Sequence, residues 1–196
     1  MKNILLYLLF LLMVVILLQL FRLPIDYFLK DYNLAFTIAE FLNICFVFAV
    51  IYKLNWLQYI KVGQVEKHKL IIYGCIAISV TSIFCYFYGY NFDVNIENVN
   101  LSRIIGGLVF APLLEEVVFR GIATEYLERK GIKVQYRVIF TTVCFGLIHF
   151  PFRSIVDIQF FVIGLILALI YEKERNLVYC FLFHALVNLT FNLLAS

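Results

Sequence analysis

Charge is what this chain has least of: 15% of its 196 residues are Asp, Glu, Lys or Arg, against 64% that are hydrophobic. Ordinary soluble domains carry about 25% charged and about 45–50% apolar residues. A water-soluble globule of this length could not hide so much apolar surface without large exposed patches, so the excess faces lipid. The net charge is only +3, and the basic residues are scattered between apolar runs, which excludes a nucleic-acid partner. The five cysteines (Cys45, Cys75, Cys85, Cys144, Cys180) show no CxxC or ligand-like spacing, which excludes a secreted disulfide scaffold. Lying in apolar stretches, they are expected to be small buried hydrophobes. Internal repeats, low-complexity tracts and a soluble domain are also lacking.

What is present is a series of long apolar runs. A helical span needs roughly 20 mostly apolar residues to cross about 30 Å of hydrocarbon. Candidates are Ile4–Phe21, Leu34–Tyr52, Leu70–Tyr88, Ile104–Tyr126, Val138–Phe150, Ile158–Tyr171 and Val178–Ala195. The first competes with a signal peptide, but its run exceeds a usual signal core and no small-x-small cleavage site follows. The fifth is short, so it is tilted or starts a turn earlier. The expected fold is an all-α polytopic bundle of about seven spans in the cell membrane.

Basic residues orient the threading. With the N-terminus inside, Lys2, Lys53, Lys61, Lys67, Lys69, Arg129, Lys130, Lys133, Arg137, Lys173 and Arg175 fall inside. Only Arg22, Lys30, Arg103 and Arg153 fall outside, and Arg120 lies within a span. Residues 54–69, with Trp56, Tyr59 and Lys61, are expected along the inner interface. The polar stretch Asn91–Asn100 reads as an outer loop, and Asn100-Leu101-Ser102 is a formal glycosylation sequon. Glu40 lies about six residues from the outer end of the second span, shallow enough to reach the interface, and reads as structural.

Ionisable groups at span depth are costly unless paired or hydrated, which makes each a functional candidate. Glu115, Glu116 and Arg120 lie near the middle of the fourth span. On a helix Glu116 and Arg120 are i and i+4, share a face and can pair. Glu115 is rotated by about 100° and needs a partner from another span. The competing interpretation is a buried structural ion pair beside one protonated carboxyl. His149 ends the fifth span, where an ordinary interfacial histidine is the alternative. In the seventh span His184 and Asn188 are again i and i+4, and polar glue between helices is the competing role.

One polar pocket inside the bundle is the economical arrangement for these groups. A carboxylate beside imidazoles and an amide supplies a general base and donors for a developing oxyanion. No Ser, Cys or Thr neighbours them in sequence as an obvious nucleophile, so water is the expected attacker of an amide bond. The four aspartates (Asp26, Asp31, Asp93, Asp157) fall outside the spans, against an aspartyl dyad, and no GxSx motif lies within one. Two histidines and a glutamate could hold zinc with an open position, the set being Glu115, His149 and His184. Against zinc, HExxH is absent and Arg120 would repel a divalent ion.

The three blocks resemble the motifs of the CPBP (ABI) family of intramembrane endopeptidases, which includes the type II CAAX prenyl proteases. EExxxR appears as Glu115-Glu116-Val117-Val118-Phe119-Arg120, FxxxH as Phe145-Gly146-Leu147-Ile148-His149, and HxxxN as His184-Ala185-Leu186-Val187-Asn188. The resemblance covers residues 101–196 as a catalytic core, residues 1–100 carry no motif, and the whole reads as one membrane domain. By resemblance, Glu115 and His149 activate the attacking water, and His184 and Asn188 stabilise the oxyanion. Glu116 and Arg120 orient the site, and the mechanism is glutamate-dependent, without a metal cofactor. The residues by themselves do not rank Glu115 above Glu116.

The resemblance thus implies an enzyme, a CAAX-protease-like hydrolase cutting a membrane-associated peptide or protein. Peptide processing and bacteriocin self-immunity are the associated settings. A non-catalytic immunity or scaffold protein keeping the fold is the alternative from another class. A proton-coupled carrier relaying through Glu115 and His149 is a third, though inverted repeats and Gly/Pro-broken helices are not evident.

Overall fold

The computed structural model describes residues 31–90, 101–149 and 155–194, with isolated positions at 25 and 29. Among the described residues every regular element is helical, and six helical bodies run up and down. Helix α1 is Tyr32–Lys53 and α2 is Lys67–Tyr88. Body α3 runs through Leu101–Ile104, Ile105–Phe110, Ala111–Glu116, Val117–Thr124 and Glu125–Arg129. Then come α4 (Val134–Leu147), α5 (Gln159–Glu174, entered by a 3₁₀ turn at Ile155–Ile158) and α6 (Leu177–Leu194).

Among the described residues four helices are long and apolar enough to cross a membrane: Tyr32–Lys53, Lys67–Tyr88, Ile155–Glu174 and Leu177–Leu194. The first expected span, Ile4–Phe21, and the inner N-terminus lie outside the described residues, as does the expected outer loop Asn91–Asn100 with the first residue of the sequon. The fifth expected span starts earlier than its apolar run, at Val134, and remains short at 14 residues. A helix of that length rises only about 21 Å.

Local chemistry explains the helix ends. Asp31 caps α1, its carboxylate accepting from the amides of Asn33 and Leu34 at 3.0 and 3.1 Å. Gly89, at φ +74°, ends α2 in the left-handed conformation that costs glycine nothing. Body α3 is different, because two π-helical stretches, Ile105–Phe110 and Val117–Thr124, flank the Glu115–Glu116 pair. Such widened turns recur at functional sites, since they re-aim side chains and loosen carbonyls from the helical ladder.

Helix α4 packs antiparallel against α5, whereas α2 runs parallel to α6 and α1 runs parallel to the first half of α3. The core is built from Val47, Ile51, Leu114, Val118, Ile122, Phe145, Leu167 and Phe183. Large apolar side chains on the outer faces, among them Phe41, Ile71, Ile83 and Leu169, remain exposed, as lipid-facing surfaces require. Cys45 and Cys75 are on those faces and are exposed, contrary to the expectation of buried cysteines, while Cys85 and Cys180 are buried. A one-sided helix leaves some apolar-run residues outside, and composition does not say which. Glu40 is 3% exposed, so it turns into the protein instead of reaching the interface.

The connection from α1 to α2 is mostly irregular. After a 3₁₀ turn at Leu57–Tyr59, residues 60–66 run without regular structure across the start of α6. The Leu177 amide donates to Lys61 O, the Gly63 amide to Asn176 Oδ1, and the Glu66 amide to the Tyr179 hydroxyl. At the same end of the bundle Arg175 donates to Glu125, Glu128 and Glu172 at 2.9, 2.7 and 2.7 Å. Arg137 pairs with Glu172 at 2.7 Å and Lys61 with Glu125 at 2.6 Å. Most of the basic residues assigned to the inner side are gathered at this end, and several of them are paired.

Candidate active site

Glu116 is the centre of the polar cluster. Its side chain is 1% exposed, and its Oε1 accepts from Arg120 Nη1 at 3.1 Å and faces His184 Nδ1 at 2.8 Å. The i, i+4 pairing of Glu116 with Arg120 is therefore present, although a π-helical stretch begins between them. Arg120 is fully buried and also donates through Nη2 to Gly164 O at 3.1 Å. Its guanidinium lies 4.5 Å from the Phe145 ring centre, a favourable cation–π placement for a desolvated charge.

Glu115 finds its cross-helix neighbour in the same histidine. Its Oε2 lies 4.0 Å from His184 Nε2, and the side chain is 20% exposed. The two adjacent glutamates thus address the two nitrogens of one ring. Glu116 is locked into a charge pair, and Glu115 is the less committed carboxylate. That distinction is invisible in the order of the residues.

His149 ends α4 with Nδ1 2.9 Å from Phe145 O. A carbonyl only accepts, so Nδ1 carries the hydrogen and Nε2 of the neutral ring is an acceptor. The ring stacks on Phe160 at 4.1 Å, with 13° between the planes. Phe145 separates the two histidines, its ring centre 5.1 Å from His149 and 5.5 Å from His184. Among the described residues no hydrogen bond or ion pair joins His149 to Glu115 or Glu116.

Asn188 donates through Nδ2 to Gly107 O at 2.8 Å. Gly107 belongs to the first π-helical stretch of α3. One amide hydrogen of Asn188 is used in this way and the second is left over. His149, His184 and Asn188 line one cavity of about 120 Å³ together with Phe145, Gln159 and Asn192. It lies toward the end of the bundle formed by the close of α4 and α6 and the start of α5.

The zinc set of Glu115, His149 and His184 does not fit this arrangement. Three ligands must converge within about 2.0–2.2 Å of one point. His184 Nε2 lies 4.0 Å from Glu115 Oε2, but among the described residues no hydrogen bond or ion pair brings His149 to either glutamate. Among the described residues no three His, Cys, Asp or Glu side chains are grouped to hold a metal ion.

Sequence reasoning missed Gln159, Asn192, Phe160 and the backbone of Gly107 and Gly164. Asn192 had a signal, since His184, Asn188 and Asn192 repeat every four residues along one helix face. Gln159 and Phe160 had none, because they reach the cavity only through the packing of α5 on α4.

Among the described residues the structure is thus an all-helical bundle with helices long and apolar enough to cross a membrane, and a buried Glu, Arg and His cluster lies beside one cavity. A family model described as type II CAAX prenyl endopeptidase Rce1-like matches residues 97–190. This similarity, over just under half of the chain, supports a CPBP, CAAX-protease-like family of membrane proteases. No curated protein and no solved structure matches the chain.

Proposed function

We propose that this protein is an intramembrane endopeptidase in which water, activated without a metal, attacks a peptide bond of a membrane-associated substrate. The observation that carries this reading is the single His184 ring set between Glu116 and Glu115, with His149 and Asn188 on the same cavity. Glu115 and His149 are the groups proposed to take the proton of the attacking water, and the acceptor Nε2 of His149 suits that task. The carbonyl carbon gains the hydroxyl and its oxygen becomes anionic. Glu116 orients His184. With both ring nitrogens protonated, Nδ1–H donates to Glu116 and Nε2–H is left for the oxyanion. The second Asn188 amide hydrogen is the other donor. Collapse of the tetrahedral intermediate returns the proton to the leaving amine.

The substrate class we propose is a peptide or protein held at the bilayer of the cell membrane. The setting we propose is peptide processing or bacteriocin self-immunity, as the resemblance to the CPBP family implies. The test is a search of the membrane proteome for new peptide termini, comparing cells carrying the native chain with Glu115→Gln at matched expression. Termini that vanish in the variant and persist in chelator support the reading. Termini lost in chelator as well would restore a metal mechanism, and identical proteomes would refute the protease assignment.

A further inference from the structure

The cavity has one polar wall that belongs to none of the family motifs. Gln159, the first residue of α5, is 3% exposed and lines the cavity next to Phe160. Behind it, the Tyr88 hydroxyl at the end of α2 donates its hydrogen to Asp157. With that hydrogen committed, the Tyr88 oxygen is an acceptor toward Gln159, whose Nε2 donates to it at 3.1 Å. The orientation of the carboxamide is therefore decided by chemistry, because a flip would set two acceptors face to face.

The carbonyl oxygen of Gln159 accepts no hydrogen bond from any described residue, although the side chain is buried. An acceptor at a cavity wall that no described residue supplies with a donor is free to receive one from a bound molecule. Half-buried Asn192 adds a second carboxamide oxygen to the wall from α6, its Nδ2 donating to Asn188 O at 2.8 Å. The wall thus asks for N–H groups. A polypeptide backbone presents one at nearly every residue, and an ester or an acyl chain presents none.

We propose that Gln159 is a substrate-positioning residue, its carbonyl oxygen accepting from a backbone N–H adjacent to the scissile carbonyl. The Asp157–Tyr88 pair holds the carboxamide in its accepting orientation. This role rests on the proteolytic reading above and gives that site a preference for peptide amides over esters.

The test uses the full chain in lipid nanodiscs with a randomised library of internally quenched decapeptides. The fastest-cut peptide is resynthesised with an ester replacing one backbone amide at a time around the cleavage point. One ester position should cost the native protein about tenfold or more in kcat/KM, mainly through KM. Gln159→Leu should lose about that factor on the all-amide peptide and no longer distinguish amide from ester there. Tyr88→Phe should give a smaller rise in KM with kcat unchanged, and it decides the matter by the same criteria if Gln159→Leu does not fold. Variants that keep the native KM and the native amide preference overturn this role while leaving proteolysis intact. A library untouched by the native protein overturns the proteolytic reading and this inference together.

Discussion

Asn188 and Glu116 both touch His184's neighbourhood, yet their replacement should read out differently. Asn188→Ala removes a proposed oxyanion donor, so kcat should fall about 10²–10³-fold with KM little changed. Steady-state kinetics on a cleaved peptide checks the split. Arg120 is a matter of stability first, because it is fully buried against Glu116. Arg120→Met leaves that carboxylate without its cation and should cost about 3–5 kcal/mol, measured by denaturant unfolding in micelles. Adding Glu116→Gln to Arg120→Met should recover much of the stability and none of the activity, since His184 then loses its orienting anion. If the double variant is as unstable as the single one, the pair is not what holds these helices.

At the scale of the element, the α4–α5 contact is the most sensitive. A Cβ on Gly146 would lie 2.4–2.7 Å from three atoms of the Phe161 ring, and one on Gly164 would lie 2.9 Å from Phe145 Cδ1. These glycines let two helices approach closely, as small residues do in membrane bundles. Gly146→Ala should overpack the contact and cost about 1–3 kcal/mol, seen as a lower Tm. Because α4 carries Phe145 and His149, the variant should also lower kcat. A variant with unchanged Tm and kcat would show that the ring can move aside freely. The helix types of α3 belong to this scale as well. The i, i+4 argument for Glu116 and Arg120 was legible in the sequence, whereas the π-helical turns on both sides of them were not. Nothing in residues 105–110 or 117–124 alone distinguishes a widened turn from an ordinary one.

For the whole molecule, the charge network joining α3, α4, α5 and the start of α6 sets the response to acid. Burial opposes ionisation of Glu128, but the Arg175 hydrogen bond, with the charges of Arg175, Arg137 and Lys61, outweighs it. The Glu128 carboxyl is consequently held below its ordinary value of 4.5. A carboxyl depressed in the folded state contributes stability that is present above 4.5 and is lost as pH falls through the lowered value. Tm should therefore drop on acidification below about pH 4.5, and Glu128→Gln should flatten that part of the profile. A profile identical to the native one would assign the acid response to other carboxylates.

The sequence by itself determined the solvent and named the candidate groups. Scarce charge and long apolar runs require lipid, and three short motifs name Glu115, Glu116, Arg120, His149, His184 and Asn188. It also determined which of these share a helix face, because 3.6 residues per turn is a local property. Only the tertiary structure decided which glutamate is locked and which is less committed, since His184 reaches both from a helix 68 residues away. It alone decided that Asn188 meets Gly107 and that Cys45 and Cys75 lie on outward faces. It alone turned Gln159 toward the cavity. The physical reason is the same throughout: periodicity fixes relations within one helix. Relations between helices depend on side-chain volumes and on the few glycines that let two backbones approach.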